Sequence, residues 1–263
     1  MMVSIPSCVV IKIGGSTLGV GDTSLADVVN LHREGINPVL IHGGGSLISE
    51  WISGLQYESH FVDGLRVTDE NALNVATAVL AGLINKNLIA DVLALGGSAI
   101  GLSGVDGGML RGSAGRPDLG FVATRLSVDP SPIQMVLSAG SIPIIAPLAV
   151  SGSKGSDVGN QILNVNADTV ASDVAVALQA SKLVFLTDVD GVMDQNGALI
   201  GEIDWSSADE LIKSGVVSGG MIPKVEACVS AASEGIPSAI INGTRASELL
   251  EWIKGKSLGT VVI

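Results

Sequence analysis

Charge is scarce in this chain. Asp, Glu, Lys and Arg make up only 15% of the 263 residues and aromatics only 3%, where about a quarter charged is usual. With so few rings the core must be aliphatic. The basic residues are the rarer sign, 14 against 26 acidic, leaving a net charge of −12. No Lys/Arg cluster or aromatic platform is present, so a nucleic-acid partner is excluded. The two cysteines, Cys8 and Cys228, lie far apart in apolar contexts. They suit neither a disulfide framework nor a metal site and read as buried thiols. The uncharged run from Ser131 to Ser153 is broken by Pro132, Pro143 and Pro147, so it is no spanning helix. The opening residues Met1 to Pro6 lack the pattern of a signal peptide. A soluble, cytoplasmic protein without a membrane partner is expected.

Hydrophobic residues reach 47%, with 34 glycines. This composition suits a large aliphatic core with tight connections. Apolar strand patterns at 8–13, 38–42, 98–102, 142–149, 183–186, 239–241 and 261–263 alternate with helical patterns. The helices are expected at 22–32 (Asp22 as cap), 46–55, 70–95, 131–139, 167–179, 225–233 and 247–253. A hairpin is expected within 57–67, short strands through Val128, and a polar loop before residue 167. The fold class is α/β, a three-layer αβα sandwich with a mostly parallel central sheet. One boundary suggests itself, near residue 177, dividing 1–177 from 178–263.

Two glycine turns follow strands and feed helices: Gly14-Gly15 and Gly43-Gly44-Gly45. Unpaired N–H groups at a helix start bind anionic oxygens. Lys12 precedes the first turn, and Lys224 follows a Gly219-Gly220-Met221 turn. Two such turns and two lysines describe a cradle for two anions, which is much of what phosphoryl transfer needs. Neither turn spells a Walker motif or a dinucleotide fingerprint. Pro223 fits a first helical turn. His42 reads as a positioning or packing residue.

Six segments together resemble the amino acid kinase family: Val10 to Gly15, Ile41 to Gly45, Gly64 to Asp69, Asn164 to Asp168, Thr187 to Val192, and Gly219 to Lys224. The resemblance implies transfer of the ATP γ-phosphoryl group to the side-chain carboxylate of N-acetyl-L-glutamate, the second step of arginine biosynthesis. A carboxylate with a pKa of about 4.3 is already ionised at neutral pH and needs no general base. By resemblance Lys12 and Lys224 meet the transferring group from opposite sides, Asp168 fixes both, and the N–H groups of Gly15 and Gly44 bind the same oxygens. Arg66 would clamp the substrate α-carboxylate, with Asn164, Gly44 and Gly45 completing that pocket. Asn166 either joins them or caps the helix that begins beside it. The nucleotide side would comprise Lys12, Gly14, Gly15, Thr187, Asp188, Gly191, Gly219, Gly220, Met221 and Lys224. Mg2+ would be carried by phosphate and water oxygens, with no protein ligand.

The resemblance assigns 1–177 to amino acid binding and dimerisation and 178–263 to the nucleotide. Ser16-Thr17 and Val105 depart from the common pattern without removing a catalytic charge. With the first strand so near the start, a homodimer is expected rather than an arginine-regulated hexamer, with helix 70–95 as its interface or as core. Two rivals remain. One is a kinase of the same fold acting on carrier-linked aminoadipate or glutamate, which this acidic chain is poorly charged to bind. The other is a ligand-sensing module, disfavoured because Lys12, Asp168 and Lys224 all remain.

Overall fold

The computed structural model describes residues 7–14, 23–152 and 161–263. The predicted roles of Gly15, Ser16-Thr17 and the Asp22 cap therefore lie outside the described residues. Strand β1 (Cys8–Ile13) is followed by helix α1 (Ser24–Arg33), and strand β2 (Asn37–His42) by helix α2 (Gly45–Gly54). A hairpin of β3 (Phe61–Val62) and β4 (Leu65–Arg66) comes next.

The expected helix 70–95 is not uniform. It comprises α3 (Glu70–Thr77), a π-helical stretch Ala78–Ile84, and α4 (Asn85–Ala94). This 25-residue helix is long and apolar enough to cross a bilayer. One side of it nevertheless packs Val75, Val79, Leu80, Ile84, Leu88 and Val92 into the core.

Strand β5 (Ala99–Ser103) leads to the short strands β6 (Leu110–Ser113), β7 (Val122–Ala123) and β8 (Arg125–Val128), then to α5 (Ser131–Ser138). The run read as one strand over 142–149 is two: β9 (Ile142–Ala146) and β10 (Leu148–Ser151). Pro147 separates them, because a proline cannot donate to a ladder. The chain there leaves one sheet for another. Part of the stretch expected as a polar loop is strand β11 (Ile162–Val165), which pairs with β10. Helix α6 (Ala167–Leu178), strand β12 (Lys182–Thr187), strand β13 (Glu202–Ile203) and helix α7 (Ala208–Lys213) follow. Helix α8 (Ile222–Ser233), strand β14 (Ser238–Asn242), helix α9 (Glu248–Ile253) and strand β15 (Thr260–Val262) close the chain.

The main sheet runs β13-β15-β14-β12-β1-β2-β9-β5, and only the β14–β15 pair is antiparallel. A five-stranded sheet, β7-β11-β10-β6-β8, stands apart from it. The strand pleat sorts side chains strictly between two cores. Val10, Val39, Ile41, Ile145, Leu183 and Phe185 pack under α5, α6 and α8. Val9, Ile11, Ile13, Leu40, Ile144 and Val184 pack under α1, the 70–94 helix and α9. The three-layer αβα sandwich is thus present. The strands are buried on both faces, which is why they read as unbroken apolar runs.

Candidate active site

Side chains alternate across a strand, so Lys12 shares the face of Cys8 and Val10 and emerges beneath α6 and α8. Each of those helices precedes a parallel strand of the sheet, and its N-terminus therefore lies at the strands' carboxyl ends. Asp168 sits in the first turn of α6 and Lys224 in the first turn of α8. The carboxyl rim of a parallel sheet is where ligands bind in such folds.

There Asp168 pairs with both lysines. Lys12 Nζ lies 2.7 Å from its Oδ1, and Lys224 Nζ 3.3 Å from its Oδ2. Asp168 and Lys12 are buried, while Lys224 remains 17% exposed. Burial pushes the Lys12 ammonium below its ordinary pKa. Asp168 pulls it back up, and Lys224 pushes it down. A lysine at a helix start also faces the positive end of the dipole. Both ammonium groups are thus braced by one carboxylate and short of negative charge.

The Gly43-Gly44-Gly45 turn follows β2, with Gly44 as the N-cap of α2 and no acidic residue in that helix's first turn. Gly43 N–H bonds Ile13 O at 3.0 Å, tying the turn to β1. A Cβ on Gly44 would fall 2.5 Å from Ile84 Cδ1 and 2.8 Å from Leu80 Cδ2. The turn is therefore pressed against the π-helical stretch.

Arg66 is buried, and no carboxylate pairs with it among the described residues. Its guanidinium donates to Ser59 Oγ, to Gly45 O (2.9 Å) and to Ser49 Oγ (2.7 Å), and stacks 4.7 Å from the Phe61 ring centre. Desolvation pushes its pKa down. A buried, oriented guanidinium lacking an anion is suited to a ligand carboxylate. Asn164 donates to Thr68 Oγ1 at 3.2 Å. Asn166 caps α6, accepting from Asp168 N–H at 2.7 Å. Lys12, Gly44, Gly45, Arg66, Asn164 and Asp168 all line one cavity of about 230 Å³, with Asn166 at its wall.

The residues that the resemblance assigns to the nucleotide follow the late strands of the sheet. Thr187 ends β12 and donates to Asp188 Oδ1 at 3.2 Å. Asp190 accepts from Asn242 Nδ2 and Arg245 Nη2, both at 2.7 Å, which pins this loop to the end of β14. Gly191 has φ +141°, and a Cβ there would lie 2.6 Å from Thr260 Oγ1. Gly219–Met221 forms a 3₁₀ turn entering α8, and Gly220 O accepts from Lys224 Nζ at 3.2 Å. Gly14 is buried at the end of β1.

Sequence reasoning missed Ser49, Ser59 and Phe61 around the guanidinium, and Asn85 beneath the glycine turn. Phe61 alone carried a signal, being one of three phenylalanines in the chain and lying in the hairpin that carries Arg66.

A lysine pair braced at the rim of a parallel sheet, beside an anion-seeking guanidinium, defines the site of a phosphoryl-transferring α/β enzyme. The chain belongs to the amino acid kinase family, whose model matches residues 7–242. It is 42% identical over 254 residues to the acetylglutamate kinase of Dehalococcoides mccartyi, covering 97% of this chain and 93% of that protein. The acetylglutamate kinase of Bartonella tribocorum is 41% identical over 273 residues, covering 97% of this chain and 89% of that one. Among solved structures, smu.665 from Streptococcus mutans superposes with a TM-score of 0.83 at 30% identity, covering 97% and 98% of the two chains.

Proposed function

We propose that this enzyme transfers the γ-phosphoryl group of ATP to the side-chain carboxylate of N-acetyl-L-glutamate, yielding the acyl phosphate of arginine biosynthesis. The observation that carries the reading is Asp168 holding Lys12 and Lys224 on its two oxygens, at the wall of a cavity that ends in Arg66. Arg66 and Asn164 bind the amino acid, and Gly44 and Gly45 cover its reacting end. Lys12 and Lys224 stabilise charge on the transferring group, and such contacts act most in the transition state. Thr187, Asp188, Gly191 and Gly219 through Met221 face the nucleotide. Asn166 orients Asp168 through its cap.

The donors at the transfer site are ammonium and N–H groups. They fit phosphate oxygens, so Mg2+ arrives on the nucleotide, held by phosphate and water. The division of labour runs with the chain: 1–177 serves the amino acid and 178–263 the nucleotide, in the cytoplasm. Two copies pair through the open edge of the sheet, where Leu93 on α4 and Ile100 on β5 are exposed. Sedimentation velocity reads the dimer directly.

The test of the function is hydroxylamine trapping with free N-acetyl-L-glutamate and Mg-ATP. Hydroxamate formation supports the reading. Product only with a carrier-linked substrate overturns it.

A further inference from the structure

The imidazole of His42 is fully buried at the end of β2. Its Nδ1 lies 3.0 Å from Gly43 O, and its Nε2 3.4 Å from the Asn85 side-chain nitrogen. Gly43 O is an acceptor only, so Nδ1 carries the proton and Nε2 accepts from Asn85. Asn85, the first residue after the π-helical stretch, also donates to Ile144 O (2.9 Å) and Leu102 O (3.3 Å). Lys86 Nζ donates to its Oδ1 at 3.1 Å. The two N–H bonds of the Asn85 amide thus face three acceptors, so at least one proton is shared between two of them. A Cβ on Gly101 would lie 2.0 Å from that Oδ1, so the strand is a glycine where the amide must sit.

Gly43 C=O and Gly44 N–H belong to one peptide unit. That unit is planar and trans, so the carbonyl and the N–H point in opposite directions. Whatever fixes the Gly43 carbonyl fixes the aim of the Gly44 N–H. We propose that His42 and Asn85 are positioning residues for phosphoryl transfer: Asn85 locks the imidazole, and the imidazole orients the peptide whose N–H points to the transferring phosphoryl group. The inference rests on the proposed function of that N–H. The π-helical stretch and the residue that follows it supply both supports, Leu80 and Ile84 against Gly44 and Asn85 beneath His42. Such stretches often mark functional sites.

Three measurements test the proposal. In the wild-type protein, ¹⁵N spectra of the imidazole should show the proton on Nδ1 and a bare Nε2 between pH 6 and 8. A proton on Nε2 would overturn the proposal, because Nδ1 could not then donate to Gly43 O. In hydroxamate assays, H42L and N85L should each lower kcat about ten- to a hundredfold with both KM values within about threefold, less than the 10²–10³ of losing a donor outright, because the N–H is misaimed and not removed. H42L/N85L should be no worse than the weaker single variant. H42N, which keeps a donor at the Nδ1 position, should recover at least half the lost decades of kcat. Unchanged kcat in folded variants, additive losses, or no rescue by H42N would overturn the inference while leaving wild-type activity intact. No product from the wild type would overturn the functional reading and this inference together.

Discussion

Lys12 Nζ stands 2.7 Å from Asp168 Oδ1, with each side chain only 6% exposed. A buried pair of this kind adds little net stability, yet removing one partner leaves an uncompensated buried charge. Burial already lowers the Lys12 pKa, and Asp168 is the group that raises it. Asp168→Asn should therefore lower it further. The lysine must be protonated to act, so the alkaline limb of the kcat profile should move to lower pH. At neutral pH kcat should fall at least a hundredfold. A pH–rate profile superimposable on the wild type would remove Asp168 from this role.

Lys224 is the more exposed partner, and its loss leaves Lys12 and Asp168 still paired. Lys224→Ala should fold normally. It should lower kcat by about 10²–10³, the scale of one lost transition-state donor, with little change in either KM. Steady-state kinetics with both substrates check this, and near-normal turnover would refute it.

Arg66 is held by Ser49, Ser59 and Gly45 in an orientation that a point charge cannot copy. Arg66→Lys should raise KM for the acetylated amino acid about tenfold or more, equivalent to about 1.4 kcal/mol. KM for ATP should stay near its wild-type value. Equal effects on both KM values would place Arg66 outside the amino acid pocket.

Some of this was legible in the sequence because it depends on period and on local turn chemistry. The nearly unbroken apolar run of β1 gave Lys12 its strand, and Pro223 marked the first turn of α8. Hydrophobic spacing cannot separate an α-turn from a π-turn over seven residues, so Ala78–Ile84 passed as ordinary helix. Pro147 falls inside the expected strand 142–149, although it is where the chain changes sheets. Ser49, Ser59 and Asn85 act through contacts made across the fold, and no local pattern announces those.

Gly44 tests the link between the π-helical stretch and the turn. Gly44→Ala drives a methyl group into Ile84 Cδ1 and Leu80 Cδ2. Both are side-chain ends that can yield, so overpacking should cost about 1–2 kcal/mol, at the low end of its range. The displaced turn should lose more in kcat than the fold loses in stability. Ile84→Val removes the closer obstructing atom. G44A/I84V should then recover kcat relative to G44A, although I84V alone costs about 0.5–1.5 kcal/mol. Failure of the second substitution to rescue would show that the turn is not set by this contact.

His42 makes the fold sensitive to acid. Burial pushes its pKa down to about 4, from an ordinary 6.5. Between those values the unfolded chain binds a proton that the folded one refuses, so stability falls as pH drops through the window and levels below it. At 1.36 kcal/mol for each pH unit crossed, the loss is on the order of 3 kcal/mol. His42→Asn has no such proton to bind. Urea unfolding from pH 7 to pH 4 should therefore give a wild-type slope steeper than that of H42N, with the two diverging below about pH 6.5. Parallel curves would mean that the imidazole is protonated in the folded state, and so cannot be accepting from Asn85.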